Sequence, residues 1–415
     1  KIDTIRTWGQ YFLTLFFILA FSGTATFAEE SITDDSAPST PTTSKQYIST
    51  LETTINDYEK IAENGGWASF KIGKTIKIDE HDSRIPNIRK ILTVMGDYKN
   101  EQNEDEQNSD SDVFDEELLE AVKYFQVRHG LDADGVIGMK TQSALAVPVE
   151  FRLAQMQTTL ERIHEMPDLG ERYVLVNIPG FYLKAIDGNT TAINSRIIVG
   201  SQKNATPLFH RSITDVSFNP PWYVPERIAR NELMGKLRTN PEYFRKGNYV
   251  VTDSDGEKVD TANIDWENQS GSYRFVQRAG ATSALGKVKF NLPNTNNIYL
   301  HSTGNPKLFS KTERALSHGC IRVEQARELA FFVMNGLTGW DEERIAKLYD
   351  SNKSKILPIE PVQVYLAYWT SWVDEATGKP HFSADIYGRD KKRVSELLSV
   401  ILSKKESNDL EVAMK

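Results

Sequence analysis

Near residue 170 the apolar spacing of this chain switches from threes and fours to alternation, so one polypeptide must build a helical part and then a sheet. Upstream, Ile48, Leu51, Ile55, Tyr58 and Ile61 recur at helical spacing, and Asn64-Gly65-Gly66 closes the run. A second helical unit starts with a helix over 85–98. An acidic polar stretch at 100–112 follows, longer than a compact helix connection requires. Next comes a helix over 114–126 with Leu118, Ala121, Val122 and Phe125 on one face, then turn residues Gly135 and Gly138. Residues 151–166 predict a linking helix. Beyond it, 173–178, 182–186, 192–199 and 213–218 read as strands, separated by turn signals such as Asp187-Gly188-Asn189. Residues 220–279 break that rhythm with a helical stretch at 225–237 and a polar segment holding Trp266 and Tyr273, without sustained strand alternation. Further on, a helix spans 324–335, and Asp341 caps another with Glu342 and Glu343 in its first turn. Strands at 359–368 and 381–387 and a helix at 391–404 complete an α+β, multidomain reading.

The start of the chain reads as an export signal: Lys1 and Arg6, an apolar run over 11–21, then small residues up to Ala28. Residues 1–28 are then either a cleaved signal peptide or a retained membrane anchor. Residues 29–46, rich in Ser, Thr and Pro, read as a flexible linker. The body is expected outside the cytoplasm. A formal net charge of −8 without any long basic stripe argues against a nucleic-acid partner. At 39% hydrophobic and 26% charged, the 415 residues can bury proper cores in roughly two or three domains.

The chain holds one cysteine, so it makes no internal disulfide. Cys320 sits in Ser317-His318-Gly319-Cys320-Ile321-Arg322-Val323, about twenty residues after Ile298-Tyr299-Leu300-His301-Ser302. A free cysteine is often just a small core hydrophobe. Here a polar ring and a bare backbone flank the sulfur, which favours a reactive thiol. His301, delivered at the end of a short buried strand, is the base candidate, with Ser302 or a backbone carbonyl holding its other nitrogen. Such a base would keep the thiol reactive at low pH. His318 shares the face of Cys320 on an extended backbone and lines the pocket. The N–H groups of Gly319 and Cys320 are the oxyanion donors. Arg322, on the same side, holds a carboxylate, orders the loop or is a solvated surface arginine. His301, His318 and Cys320 also offer a ligand set to zinc, the main catalytic rival.

A strand-end histidine followed by Ser-His-Gly-Cys-Ile-Arg resembles the signature of the L,D-transpeptidase catalytic domain, the YkuD-like fold. Residues 174–179 resemble that family's opening strand, 219–225 its central segment, and 285–290 the stretch before the histidine strand. Residues 84–147 resemble the small three-helix peptidoglycan-binding-like domain. The resemblance implies a helical scaffold over 47–171 containing that domain, and a mostly-β catalytic domain over 172–350. It places a cap inserted at about 220–279, and strands and a helix over 351–415 packing on the catalytic domain. It implies Cys320 as nucleophile, His301 as proton donor and acceptor, and His318, Gly319 and Ser302 in support. Arg322, Ser317, Trp222, Tyr223 and Tyr299 would contact substrate, and some of Trp222, Tyr223, Trp266 and Tyr273 would reach it from the cap. The implied reaction needs no cofactor or metal. It releases D-alanine from a tetrapeptide stem and joins two peptidoglycan stems by a 3→3 cross-link in the periplasm, a step that carbapenems would block covalently. Water as acceptor would make the enzyme a carboxypeptidase, and a vestigial site would leave a wall-binding protein.

Overall fold

The computed structural model describes residues 44–99, 111–261, 273–280, 282–374 and 376–413. The expected export signal, linker residues 29–43, acidic residues 100–110 and Trp266 lie outside the described residues. No helix among the described residues is long and apolar enough to cross a membrane.

Helix α1 (Ser44–Glu63) buries Tyr47, Leu51, Ile55 and Tyr58, the apolar positions of its sequence pattern. Helices α2 (Ile85–Met95), α3 (Glu116–Arg128) and α4 (Met139–Leu145) form the small helical unit around Ile85, Ile88, Leu118, Val122, Phe125 and Ile137. Asp115 caps α3 by accepting the Leu118 N–H at 2.9 Å. The buried Gln126 amide then fixes the turn after α3, accepting from Gly135 N (2.8 Å) and donating to Asp134 Oδ1 and the Val136 carbonyl (both 3.0 Å). Helix α5 (Val149–His164) leads into the sheet.

The sheet strands are β1 (Arg172–Asn177), β2 (Tyr182–Asp187), β3 (Thr190–Gly200) and β4 (His210–Phe218). The cap follows: β5 (Trp222–Tyr223), α6 (Glu226–Ile228), a π-helical turn at Ala229–Leu233, α7 (Met234–Thr239), α8 (Pro241–Lys246), β6 (Tyr249–Thr252) and β7 (Arg274–Gln277). The chain returns through β8 (Val288–Asn291), β9 (Leu300–His301), β10 (Ala315–Ser317) and β11 (Ile321–Val323). Then come α9 (Ala326–Met334), α10 (Glu342–Asp350), β12 (Lys355–Ala367), the hairpin β13 (Ser371–Val373) and β14 (Pro380–Phe382), and α11 (Lys391–Ala413).

The main sheet runs β10-β3-β11-β9-β8-β4-β12-β1-β2, and β2 pairs again with β3, closing it. Closure works because β3 spans 11 residues: its first part pairs β2, and Ile197 and Ile198 pair β11. Val174, Val176, Ile197, Val216, Phe290, Leu300 and Ile321 fill the enclosed core, each fully buried. Strand β12, from the expected strand at 359–368, is an integral member of the sheet. It lies inside the sheet, parallel to β1 and antiparallel to β4. A register shift between Pro358 and Val362 interrupts its alternation. The strand expected at 381–387 is only the short β14.

The cap also differs from the sequence reading. Its strands pair as β5-β7-β6 around a small core of Ala229, Leu233, Phe244, Val251 and Phe275. Strands of two and four residues are too short to register as alternation. A second shared core joins the helical scaffold to the sheet through Tyr173, Leu175, Trp369 and Phe382.

Candidate active site

Strand register builds the site. On β9, His301 lies opposite Lys289 of β8 and Arg322 of β11, while Leu300 lies opposite Phe290 and Ile321. Side chains alternate across a sheet. Leu300, Phe290 and Ile321 therefore enter the enclosed core, and Lys289, His301 and Arg322 form one row on the outer face. Two residues back along β9 and β11, Tyr299 and Cys320 fall in the next row of that face, joined by the Ile321 N–H donating to the Tyr299 carbonyl at 3.1 Å. Strand β4 extends both rows with Ser217 opposite Lys289 and Asp215 opposite Asn291.

The rings report the same proximity. Tyr299 and His301 lie 5.5 Å apart between ring centroids, and Lys289 Nζ stands 4.3 Å from the centre of the Tyr299 ring. The Cys320 sulfur faces the Asn297 carbonyl at 3.7 Å. Burial pushes the Cys320 thiol up, against hydrogen bonds from Tyr299 and the charges of Lys289 and Arg322. It pushes the His301 imidazole down to about 3, and Arg322 adds to the shift. The backbone of Ser302 and Leu285 pulls the imidazole back without closing a hydrogen bond to Nδ1, which is buried and unpartnered among the described residues. The Tyr299 phenol is raised chiefly by burial, with Trp222 hydrogen-bonded to it and lowering it. Both members of the Cys320–His301 pair thus rest neutral at pH 7.

Gly319 makes the turn that presents Cys320. Its φ of +117° suits glycine alone, and an added Cβ would sit 3.2 Å from Ile298 Cδ1. Ser317 Oγ ties this turn, accepting from Gly319 N (3.1 Å) and donating to the Cys320 carbonyl (2.5 Å). Gly319 therefore spends its N–H inside the turn, which corrects its expected place as an oxyanion donor and leaves that of Cys320.

Four more expectations change. Ser302 does not hold the His301 ring: its Oγ accepts from Lys287 N (2.7 Å) and Val288 N (3.0 Å) and donates to the Leu285 carbonyl (3.1 Å). Tyr223 is 73% exposed and, one residue from Trp222 on β5, points to the opposite face of the cap sheet. Tyr273 packs against the cap core. Trp222 is hydrogen-bonded to Tyr299. His318 does not line an open pocket: its Nε2 pairs with Glu232 of the cap. Among the described residues no three His, Cys, Asp or Glu side chains converge on a metal position.

Lys289 and Glu232 escaped the sequence reading. Lys289 alternates with Val288 and Phe290, which marks it as outward-facing. Only the register across three strands puts it beside His301, and nothing local marks Glu232 as the partner of His318.

Residues 171–348 match the family described as "L,D-transpeptidase catalytic domain", and residues 81–145 match "Putative peptidoglycan binding domain". A curated Haemophilus influenzae protein described as "Putative L,D-transpeptidase" is 36% identical over 234 residues, covering 56% of this chain and 47% of the relative. The chain therefore spans about half that relative's length. Among solved structures, an L,D-transpeptidase from Mycobacterium smegmatis is 14% identical, over 48% of this chain and 58% of that one, with a TM-score of 0.22. The one from Xylanimonas cellulosilytica is 12% identical, over 72% and 99%, with a TM-score of 0.23.

Proposed function

From a chain whose residues 171–348 belong to the L,D-transpeptidase catalytic domain family and whose residues 81–145 belong to the peptidoglycan-binding domain family, we propose a cysteine-dependent peptidoglycan transpeptidase acting outside the cytoplasm. The observation that carries the reading is the placement of Cys320 and His301 in adjacent rows of one sheet face, with Tyr299 beside both. The donor is a tetrapeptide stem whose third residue is diaminopimelate. Cys320 Sγ attacks the carbonyl that joins diaminopimelate to the terminal D-alanine, and neutral His301 takes the thiol proton as the S–C bond forms. The Cys320 N–H faces the oxyanion. His301 then returns the proton to the departing amine, D-alanine leaves, and a thioester remains. The side-chain amine of diaminopimelate on a second stem attacks this thioester, losing a proton through His301, and the thiol is regenerated with a 3→3 link formed.

With thiol and imidazole both neutral at rest, His301 is unprotonated and can accept the thiol proton during the reaction. The small helical unit would hold the enzyme against the wall. Incubating the protein with disaccharide-tetrapeptides and weighing the products tests the reading. Linked dimers with loss of D-alanine are expected. Tripeptide monomers alone would make it a carboxypeptidase, and unchanged substrate a wall binder.

A further inference from the structure

The floor around His301 carries two cations. Lys289 flanks it from β8 and Arg322 from β11, in the row beside Tyr299 and Cys320. Lys289 is half-buried, and its ammonium lies over the Tyr299 ring. Among the described residues no carboxylate forms an ion pair with it. Asp215, the acidic group on that side, is engaged instead by Asn291 Nδ2 and by Thr214 Oγ1 at 3.1 Å. Arg322 is half-buried too, and its Nε is fully covered without a hydrogen-bond partner among the described residues. Burial lowers both cations. Asp215 acts on Lys289 through space without closing an ion pair, and two partly desolvated positive charges on one face with no ion-pair partner among the described residues are costly. A ligand anion would offset that cost.

We propose that Lys289 binds a carboxylate of the donor stem, acting beside Arg322. This rests on the acyl-transfer reading above. Two of a tetrapeptide stem's carboxylates lie on the residues that the scissile bond joins: the C-terminal one on the leaving residue, and the free one on the diamino acid side chain. Only a nitrogen and one carbon separate the scissile carbonyl from the C-terminal carboxylate. An anion there falls within a side chain's reach of Cys320. A lysine's ammonium on a flexible stem suits such a point contact, and a charge-assisted hydrogen bond of this kind discriminates strongly against a neutral isostere.

Three donors decide it: the free tetrapeptide stem, its C-terminal carboxamide, and the stem amidated on the side-chain carboxylate. Acylation is followed by thioester mass and release of the leaving residue, for the parent enzyme, Lys289→Met and Lys289→Arg. The parent should prefer the free stem to one of the amides by about 10–100-fold, and the amide it rejects identifies the carboxylate read. Lys289→Met should erase that preference, mainly through KM, and Lys289→Arg should restore part of it. The preference is a ratio within each variant, so a lower folded fraction does not blur it. An equal loss on all three donors, as expected if Lys289 acts only through its charge on the thiol, overturns the proposal, as does a parent indifferent to both amides. A parent that forms no thioester with any donor overturns the acyl-transfer reading itself.

Discussion

At the scale of single residues, the proposed chemistry concentrates on one sulfur. Cys320→Ala should abolish acyl transfer, and Cys320→Ser should be nearly as inactive because a hydroxyl ionises far less readily. Intact mass gives a second check. Carbapenem should add to the parent and not to Cys320→Ala, and an unmodified parent after long exposure would count against the transpeptidase reading. The protonation states then revise an expectation drawn from sequence. A histidine base suggests a thiol that stays reactive in acid, yet burial raises the thiol and lowers His301 to about 3, so no thiolate–imidazolium pair is stored. Iodoacetamide labelling of Cys320 should therefore climb steadily as pH rises through the neutral and alkaline range. A rate plateau reaching below about pH 6 would reveal a stored thiolate and contradict this. His301→Ala should impair acylation more than His318→Ala, because His301 faces the thiol's row while His318 is held by Glu232.

At the scale of elements, the cap and the helical unit make separable claims. The cap has its own core and touches the site through Trp222 and through Glu232 on His318. Replacing 224–275 with a short Gly-Ser connection should leave the thiol open to small alkylating agents while impairing turnover of stem peptides at least tenfold. Unchanged peptide turnover would reduce the cap to an ornament. The helical unit is fastened by α3: Arg128 at its end bonds Asp97 at 2.7 Å and the Pro380 carbonyl of β14, and both members of the ion pair are fully buried. Asp97→Ala strands a buried guanidinium and should cost about 3–5 kcal/mol, read as a shift in the urea midpoint at unchanged slope. A loss under about 1 kcal/mol would mean that Arg128 finds another partner. Local signals made these helices legible, since the Asp115 cap, the Gln126 turn and the apolar faces all lie close in sequence. Strand order was not legible in this way. The placement of β12 between β4 and β1, and of Lys289 beside His301, depends on pairings dozens of residues apart, which a two-residue period cannot choose among.

At the scale of the whole molecule, buried His129 and His301 and half-buried His381 set an acid limit. His129 is stacked on Phe125 at 3.9 Å and on Phe382, and burial holds it well below its ordinary value. Burial also takes His301 to about 3 and His381, stacked on Trp372, to about 4. Each must stay neutral in the native state, but each titrates near about 6.5 once unfolded. Where the unfolded chain binds more protons than the native one, stability rises with pH. Their contribution is thus complete above the unfolded value, shrinks as pH falls below it, and is gone once pH passes the folded values. Below about 6.5 the cost approaches 1.4 kcal/mol per histidine per pH unit. Asp97 and Asp390, raised by burial, act in the opposite sense, from a carboxylate range that starts lower. The deciding window is therefore about pH 7.5 to 5.5, where the unfolded histidines titrate. The thermal midpoint should hold near the top of that window and fall by several degrees towards its lower end. His381→Gln should flatten the fall by removing one of the three contributions. A midpoint constant across the window would mean that the buried rings accept protons in place, and would undo the assignment of neutral imidazoles on which the acyl-transfer step depends.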